Sequence, residues 1–317
     1  MMKVIVTICV LLIVFVGVMA AQGTDTPSYI PESCISVVTM ANIQSDPGVS
    51  WMLDAWINSP RQSPLRELLK ATTVKEMSVA VFSPKSESLL NLLCVMKLEK
   101  GAKVDKEKLN NIILPDPEAT IQSLTYKGSS IAHVQGDVPE DFSAYTILQD
   151  MILIGSDVDV VKMGIDGPSI NKSAVYQKAK NYFTQAKDGL LFADNSGAKF
   201  VEFLQPLEEK WKITLLLSSE YLDWMGSSFD MVDSNRASGI FVFQGADTSH
   251  IDEIKDDAEF LGEAFKRKFI AEKINYTSTV EVKGSSVVLN MQISGIEPLW
   301  KKLFEQGVLT LIRPGGD

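Results

Sequence analysis

The sequence predicts an α+β fold of two related halves, each a mostly antiparallel sheet with packed helices. Short strand-like runs follow one another as hairpins, which is the pattern of antiparallel sheets. The phrase Lys-Gly-Ser-Ser occurs twice, at residues 127–130 and 283–286, each time between two such runs. The apolar runs 37–42 and 190–195 form a second pair of matches, because both end in Asn. Two matches in the same order indicate an internal duplication.

The first 20 residues have the pattern of a signal peptide. Lys3 provides a positive charge, residues 4–18 are uncharged, and Val18-Met19-Ala20 precedes a cleavage point. We expect a mature chain that starts at Ala21 or Gln22 and lies outside the cytoplasm, in the periplasm or extracellular space. The alternative is an uncleaved anchor, because the uncharged run from Val4 to Ala21 reaches the lower length limit of a membrane-spanning helix. A membrane contact is expected only if this segment is retained.

The charge balance disfavours nucleic acid as a partner. The chain has 30 basic and 40 acidic side chains, a formal net charge of −10. Nucleic acids and anionic membrane surfaces attract proteins through clustered cations, so an acidic chain is poorly suited to either.

The expected elements of the first half follow a polar linker at residues 21–33. The first α+β module is assigned to residues 34–186. Its start signals for helices are Asp or Ser followed by Pro, which suit an N-cap and the first helical position. In chain order we expect strand 34–40, helices from Asp46 and Ser63, strands 77–82 and 89–98, helix 104–113, hairpins 121–135 and 145–154, and helices from Asp157 and Ser173.

The second α+β module is assigned to residues 187–317. Its order of elements resembles that of the first module, although its second helix is longer. In chain order we expect strand 190–194, helices 198–212 and 215–224, strands 231–232 and 239–244, helix 248–269, hairpin strands 275–282 and 287–294, and helix 298–306.

The only two histidines, His133 and His250, are the first candidates for chemistry. A metal site would combine His250 with Asp247 or Asp252. The same residues match a helix N-terminus, where short polar side chains cap N–H groups and acids favour the helix dipole. We favour the cap, because zinc needs about four ligands that this chain does not group together. We therefore predict no metal and no cofactor.

No catalytic motif is recognisable, so no catalytic residue is named. Asp157-Val158-Asp159 resembles half a calcium loop, but the Gly and Glu that such a loop requires do not follow. The patterns of nucleophile elbows, P-loops and zinc proteases are absent from the sequence. A carboxylate-dependent hydrolase stays an alternative, because such an enzyme needs only two acids and the sequence does not locate a pair.

Cysteine and tryptophan residues each permit two interpretations. Cys34 and Cys94 form either one disulfide, which export allows, or two buried thiols. Four tryptophans on predicted helices line either an aromatic groove or, as we favour, the core, where large aromatic side chains dominate burial. They are Trp51, Trp56, Trp211 and Trp224.

Several segments resemble a family of exported bacterial proteins of unknown function. The resemblance covers most of the mature chain, and it implies export and a duplicated α+β body without catalytic residues. Ile170 departs from the Leu of the family pattern, and Ala193-Asp194 stands in place of its Val-Asp pair. The segments that carry the resemblance are Val95–Leu98, Lys108-Leu109, Leu124–Gly128, Tyr145–Ile154, Gly167–Ile170 and Leu191–Asp194.

These observations lead to an expected function of exported, non-catalytic binding or association with the cell envelope. Its partner would be a small molecule or an envelope protein, and a cleft between halves is the usual place for such a ligand. A structural or assembly protein of the cell surface is the first alternative, and a carboxylate-dependent hydrolase is the second.

Overall fold

The computed structural model describes residues 19–20, 24–41, 43, 64–86, 89–114, 119–135, 142–183, 189–203 and 219–298. The apolar core of the expected signal peptide and the expected helix at 298–306 lie outside these residues, except for Pro298. Trp51, Trp56 and Trp211 also lie outside them. Among the described helices, none combines the length and the apolar character needed to cross a membrane.

Most of the strands in the described chain follow one another in groups of two to four, with helices between the groups. In chain order they are β1 (Met19–Ala20), β2 (Ser36–Met40), α1 (Pro64–Ala71), β3 (Val74–Ser86), β4 (Leu89–Leu98), α2 (Lys106–Ile113), β5 (Ile121–Tyr126), β6 (Ser129–Val134), β7 (Ala144–Leu148), β8 (Met151–Gly155), α3 (Val158–Asp166), α4 (Ala174–Tyr182), β9 (Gly189–Asp194), β10 (Leu222–Asp233), β11 (Arg236–Gly245), α5 (Ile251–Ala271), β12 (Asn275–Lys283) and β13 (Ser286–Ser294).

The chain divides into two compact units, and each contains an antiparallel sheet. The first unit is Gly23–Gln177, and the second is Lys178–Asp317 with Met1–Gln22. The junction therefore falls inside α4, a few residues before the expected module boundary at 186/187. The α+β class with mostly antiparallel strand pairing is confirmed.

The strand order follows from the hairpins that each unit contains. The first unit has the order β2-β3-β4-β8-β7-β6-β5, and the second has β9-β10-β11-β13-β12. The pairings within these orders are antiparallel. The exception is β1, whose two residues pair in parallel with Gly189 of β9 in the second unit.

The strands in the middle of the first unit are apolar on both faces. Leu93, Val95, Ile152 and Leu153 have no exposed surface. A run that is apolar throughout, rather than at every second residue, is expected where both faces of a strand are covered. Helix α3 covers part of this surface, because Gly164 lets it approach Leu93 and Leu153 closely.

Residues 24–33, which the composition assigned to a linker, are packed into the first unit. Thr26–Tyr29 form a 3₁₀ helix, and both Thr26 and Ile30 are fully buried. The backbone of this segment bonds to the α3–α4 connection through Glu32 N–H to Pro168 O and Ile170 N–H to Ile30 O. We call residues 24–33 the strap. Its prolines and polar residues suit this path because its hydrogen bonds go to side chains and loops rather than to a ladder.

The two Lys-Gly-Ser-Ser phrases do form hairpin turns, but in different registers. Tyr126 pairs with Ser129, so Lys127 and Gly128 are the central residues, with φ of +47° and +81°. Lys283 pairs with Ser286, so Gly284 comes first in its turn, with φ of +63°. These are the glycine positions of type I′ and type II′ turns. The same four residues therefore fold into two different turns.

The two hairpins also occupy different places in their sheets. In the first unit, β6 pairs with β7, and the strand next to β4 is β8. In the second unit, β13 pairs directly with β11. The expectation that Gly128 and Gly284 hold equivalent positions is therefore wrong.

The expected helix at 215–224 is also wrong at its C-terminal end. Leu222 begins β10, and Trp224 is a buried strand residue with 1% exposure. The following Gly226-Ser227-Ser228 looks like a turn in sequence, yet it continues the strand. Gly226 is needed there because a Cβ at this position would lie 2.9 Å from the Phe183 ring. The segment is therefore a strand because Phe183, which is distant in sequence, packs on Gly226, although the local sequence Gly-Ser-Ser is typical of a turn.

Cys34 and Cys94 are buried thiols rather than a disulfide. Burial raises the pKa of the Cys94 thiol to about 12. The thiolate is the reactive form of cysteine, so this residue is protected from oxidants and alkylating agents in the folded protein.

We predict that Gly164→Val destabilises the first unit by about 3 kcal/mol, because overpacking a close contact forces backbone or rotamer shifts. A Cβ at Gly164 would lie 2.9 Å from Leu153, 3.0 Å from Leu93 and 3.2 Å from the Tyr29 carbonyl. Urea unfolding measures the change. Lys162→Val on the same helix is the control and should cost much less, because that position is only half-buried. Equal losses in both variants would contradict the packing role of Gly164.

Candidate functional site

His250 lies at the start of α5 and is held by two neighbours. Its ring stacks on Tyr221 at 3.8 Å between centroids, and its Nδ1 lies 3.3 Å from Glu253 Oε1. Asp247 accepts a hydrogen bond of 2.7 Å from the Ser249 N–H, and this bond lowers the pKa of the Asp247 carboxyl. The carboxylate thus binds a backbone N–H in the turn before α5, which begins at Ile251, and not one of the helix's own N–H groups.

His133 is a half-buried residue of β6 in the first unit. Its Nδ1 lies 3.3 Å from the carbonyl oxygen of the adjacent Val134. His250 belongs to the second unit, so the two histidines occur in separate environments. Across the described residues, no group of three or more His, Cys, Asp and Glu side chains could hold a metal ion.

Asp157 is the N-cap of α3, and the calcium interpretation does not describe its role. Its side chain accepts a hydrogen bond of 2.9 Å from the Val160 N–H. Asp159 lies 3.5 Å from Lys162 on the same helix. Carboxylates in the first turn favour the helix dipole, so both acids stabilise the start of α3.

Glu76 is a buried acid that the sequence did not single out. Its side chain is 5% exposed, and its Oε2 accepts hydrogen bonds from the Asp25 N–H at 2.7 Å and the Thr26 N–H at 3.3 Å. Lys97 Nζ lies 3.5 Å from Glu76 Oε1 and also contacts the Asp25 carboxylate. The hydrogen bond to Asp25 is the main cause that raises the pKa of Lys97, and the charge of Glu76 adds to it. The acid and the lysine together hold the start of the strap.

A chain of buried hydroxyl groups lies beside Glu76. Thr26 Oγ1 is 2.8 Å from Ser78 Oγ, which is 2.9 Å from Thr39 Oγ1. Tyr176 bonds to Thr39, while burial raises the pKa of the Tyr176 hydroxyl well above its usual range. These groups satisfy one another between β2, β3, α4 and the strap. Their arrangement stabilises the fold, and the hydroxyls are engaged rather than exposed for reaction.

A second polar network surrounds the turn at Gly284. The Tyr182 hydroxyl lies 2.6 Å from Ser286 Oγ, which donates a 2.5 Å hydrogen bond to Gln244 Oε1. Gln244 Nε2 donates to Ser285 Oγ at 2.7 Å. Tyr182 also places its ring edge on Trp224 at 5.6 Å. The serines of the second Lys-Gly-Ser-Ser phrase therefore join β11, β13 and α4, and Trp224 belongs to the core.

One sheet face of the second unit presents polar groups to solvent. Side chains alternate between faces along a strand. One face packs on α5, as the contacts of Tyr276 with Phe269 at 5.4 Å and of Phe241 with Phe265 at 6.0 Å show. The other face carries a set of cross-strand neighbours that we call the polar row. It runs across four strands through Thr277, Gln292, Ser238 and Asp230.

The polar row is the described surface best suited to contact a ligand. Thr277 and Gln292 are exposed, while Ser238 and Asp230 are half-exposed. Directly opposite side chains in a sheet lie about 5 Å apart, so the row offers regularly spaced hydrogen-bonding groups. Its side chains are mostly neutral and polar, so they can both donate and accept hydrogen bonds. Sequence alternation in β12 and β13 is the signal that could have located it.

Comparisons with known proteins add no relative to this picture. No family model, curated protein or solved structure matches the chain.

We predict that Glu76→Ala destabilises the first unit by about 3 kcal/mol, because it leaves a buried lysine contact and two backbone donors without their acceptor. Glu76→Gln should cost less, since it keeps one acceptor oxygen. Urea unfolding measures both, and limited proteolysis should detect release of residues 24–33. Glu99→Ala, an exposed acid that follows β4, is the matched control.

The stability that Lys97 contributes has a defined pH range. Its folded pKa is raised above 10.5, so the contribution is fully present below pH 10.5 and is lost as the pH rises through the folded value.

A strap that stays resistant to protease in Glu76→Ala would contradict the role assigned to Glu76 and Lys97.

Proposed function

We propose that this chain is an exported, non-catalytic protein that binds a polar small molecule or an envelope protein. The polar row carries the proposal, because it combines exposure with regular spacing of hydrogen-bonding groups. Two clusters of buried polar groups elsewhere are committed to the fold. Glu76 holds the strap, and Ser286 with Gln244 holds a hairpin turn.

The chemistry of the row favours a neutral ligand that is rich in hydroxyl or amide groups. Thr and Ser hydroxyls and the Gln amide both donate and accept hydrogen bonds. Neutral oligosaccharides match this chemistry. Nucleic acid does not, because an acidic chain repels its phosphates.

The alternatives differ in what supports them. A structural or assembly role at the cell surface is supported by exposed apolar side chains on the second unit, including Phe260 at 68% and Val282 at 45% exposure. For the hydrolase, the structure brings Asp25 and Glu76 together at Lys97. Glu76 already accepts two backbone hydrogen bonds and an ion pair, so this pair suits anchoring of the strap better than catalysis.

The duplication of the two halves is part of the same proposal, with a changed correspondence. The order β2-β3-β4-β8-β7 can be matched to β9-β10-β11-β13-β12. In this correspondence the hairpin β7–β8 is the counterpart of β12–β13, and β5–β6 is an addition to the first half. The match between residues 37–42 and 190–195 agrees with it, because they include β2 and β9.

If the signal peptide is removed during export, we predict that the mature chain begins at Ala21 or Gln22. The charge and cleavage patterns of the first 20 residues are the reason. Intact-mass measurement on protein from the native host, together with fractionation, tests this. A full-length chain in the membrane fraction would instead support the anchor.

We predict that Thr277→Ala combined with Gln292→Ala weakens ligand binding about thirtyfold, because each of the two lost hydrogen bonds contributes roughly 1 kcal/mol. An array of neutral oligosaccharides provides the probes. The matched control is Thr125→Ala with Gln122→Ala, which removes the same exposed residue types from β5 of the first unit. Equal losses in both double variants, or no binding to any probe, would count against the polar row as the site.

A further inference from the structure

Strand β12 forms an open edge of the second unit's sheet. Among the strands that the structure describes, it pairs with β13 alone. The pairing runs without a break from Asn275 opposite Ser294 to Lys283 opposite Ser286. Of its nine residues, only Tyr276 is buried. A regular, exposed edge without proline or bulge is a template for addition of another strand.

The register of the hairpin identifies which backbone groups point to the open side. A two-residue turn is closed by a hydrogen-bonded pair, here Lys283 with Ser286, and bonded pairs then alternate along the ladder. The N–H and C=O groups of Val282 and Val280 therefore point away from β13. An added strand would bond to them without disturbing the existing hairpin.

We propose that β12 pairs antiparallel with β12 of a second copy, with Thr279 opposite its own counterpart, so that two second units share one sheet. This inference goes beyond the proposed ligand binding and does not depend on it. The strand is self-complementary in this register, because Tyr276 lies opposite Val282, Ser278 opposite Val280, and Thr277 opposite Glu281. Each pair occurs twice, as a two-fold dimer requires.

The charged residues of β12 and its exposed Val282 favour antiparallel pairing with a second copy. Antiparallel pairing places Glu281 opposite Thr277 and Lys283 opposite Asn275, so no like charges meet. Parallel pairing in register would oppose each charged side chain to itself, which is destabilising. The antiparallel register also covers Val282, which is 45% exposed, with an aromatic ring. Aromatic and β-branched residues are favourable cross-strand neighbours.

The first test is the mass of the mature protein in solution across a concentration series, by sedimentation equilibrium. Wild type should approach twice the chain mass. Val282→Lys should raise the dimer dissociation constant at least about tenfold, because it replaces two apolar cross-strand pairs. Val232→Lys is the matched control, since Val232 is 58% exposed but lies on the interior strand β10. It should leave the dimer unchanged.

The second test addresses the register. Under mild oxidation, Thr279→Cys should form a disulfide between copies, because directly opposed strand residues lie within disulfide distance. Thr277→Cys should not, since its counterpart would lie several residues away along the strand. Both positions are exposed, whereas the native Cys34 and Cys94 are buried and should not compete.

Three outcomes would overturn the proposal. These are a wild type that is monomeric at its highest soluble concentration, a dimer that Val282→Lys does not weaken, and equal cross-linking of the two cysteine variants. A monomer that instead binds a synthetic peptide of another sequence along β12 would show that the edge serves a different partner. Circular dichroism of each variant confirms that its fold is retained.

Discussion

The fold depends on one constraint, which is that most polar groups on strands covered from both faces form their hydrogen bonds inside the protein. Glu76 on β3 is the strongest case, because it is a nearly buried carboxylate. It is stabilised by two backbone N–H groups and by Lys97. Burying a charge without such partners is very costly. The strap is therefore an integral part of the first unit.

The second unit meets the same constraint in two ways. At two glycines, the lack of a side chain leaves room for an aromatic ring to pack on the strand. Gly226 accommodates Phe183, and Gly239 accommodates Phe229. Elsewhere a network satisfies several of the buried polar groups, as Ser286 does with Gln244 and Tyr182. Among the described residues, the face with the polar row and the edge of β12 are the surfaces that we propose for a partner.

Local signals in the sequence predicted local structure well. The glycines at 128 and 284 make hairpin turns, and Asp157 and Asp247 bind backbone N–H groups near helix starts. The same signals failed where distant packing decides. Gly226 resembles a turn residue but lies in a strand beneath Phe183. The strap resembles a linker because its anchors, Glu76 and the segment after α3, are far away in sequence.

The sequence by itself determined the α+β class, the mostly antiparallel pairing and the two turns, because each depends on residues that are near one another in the chain. Only the tertiary structure decided the strand order, the different places of the two Lys-Gly-Ser-Ser hairpins and the exposure of the polar row. These depend on which apolar faces cover one another. Such burial couples residues far apart in sequence, and no short pattern records it.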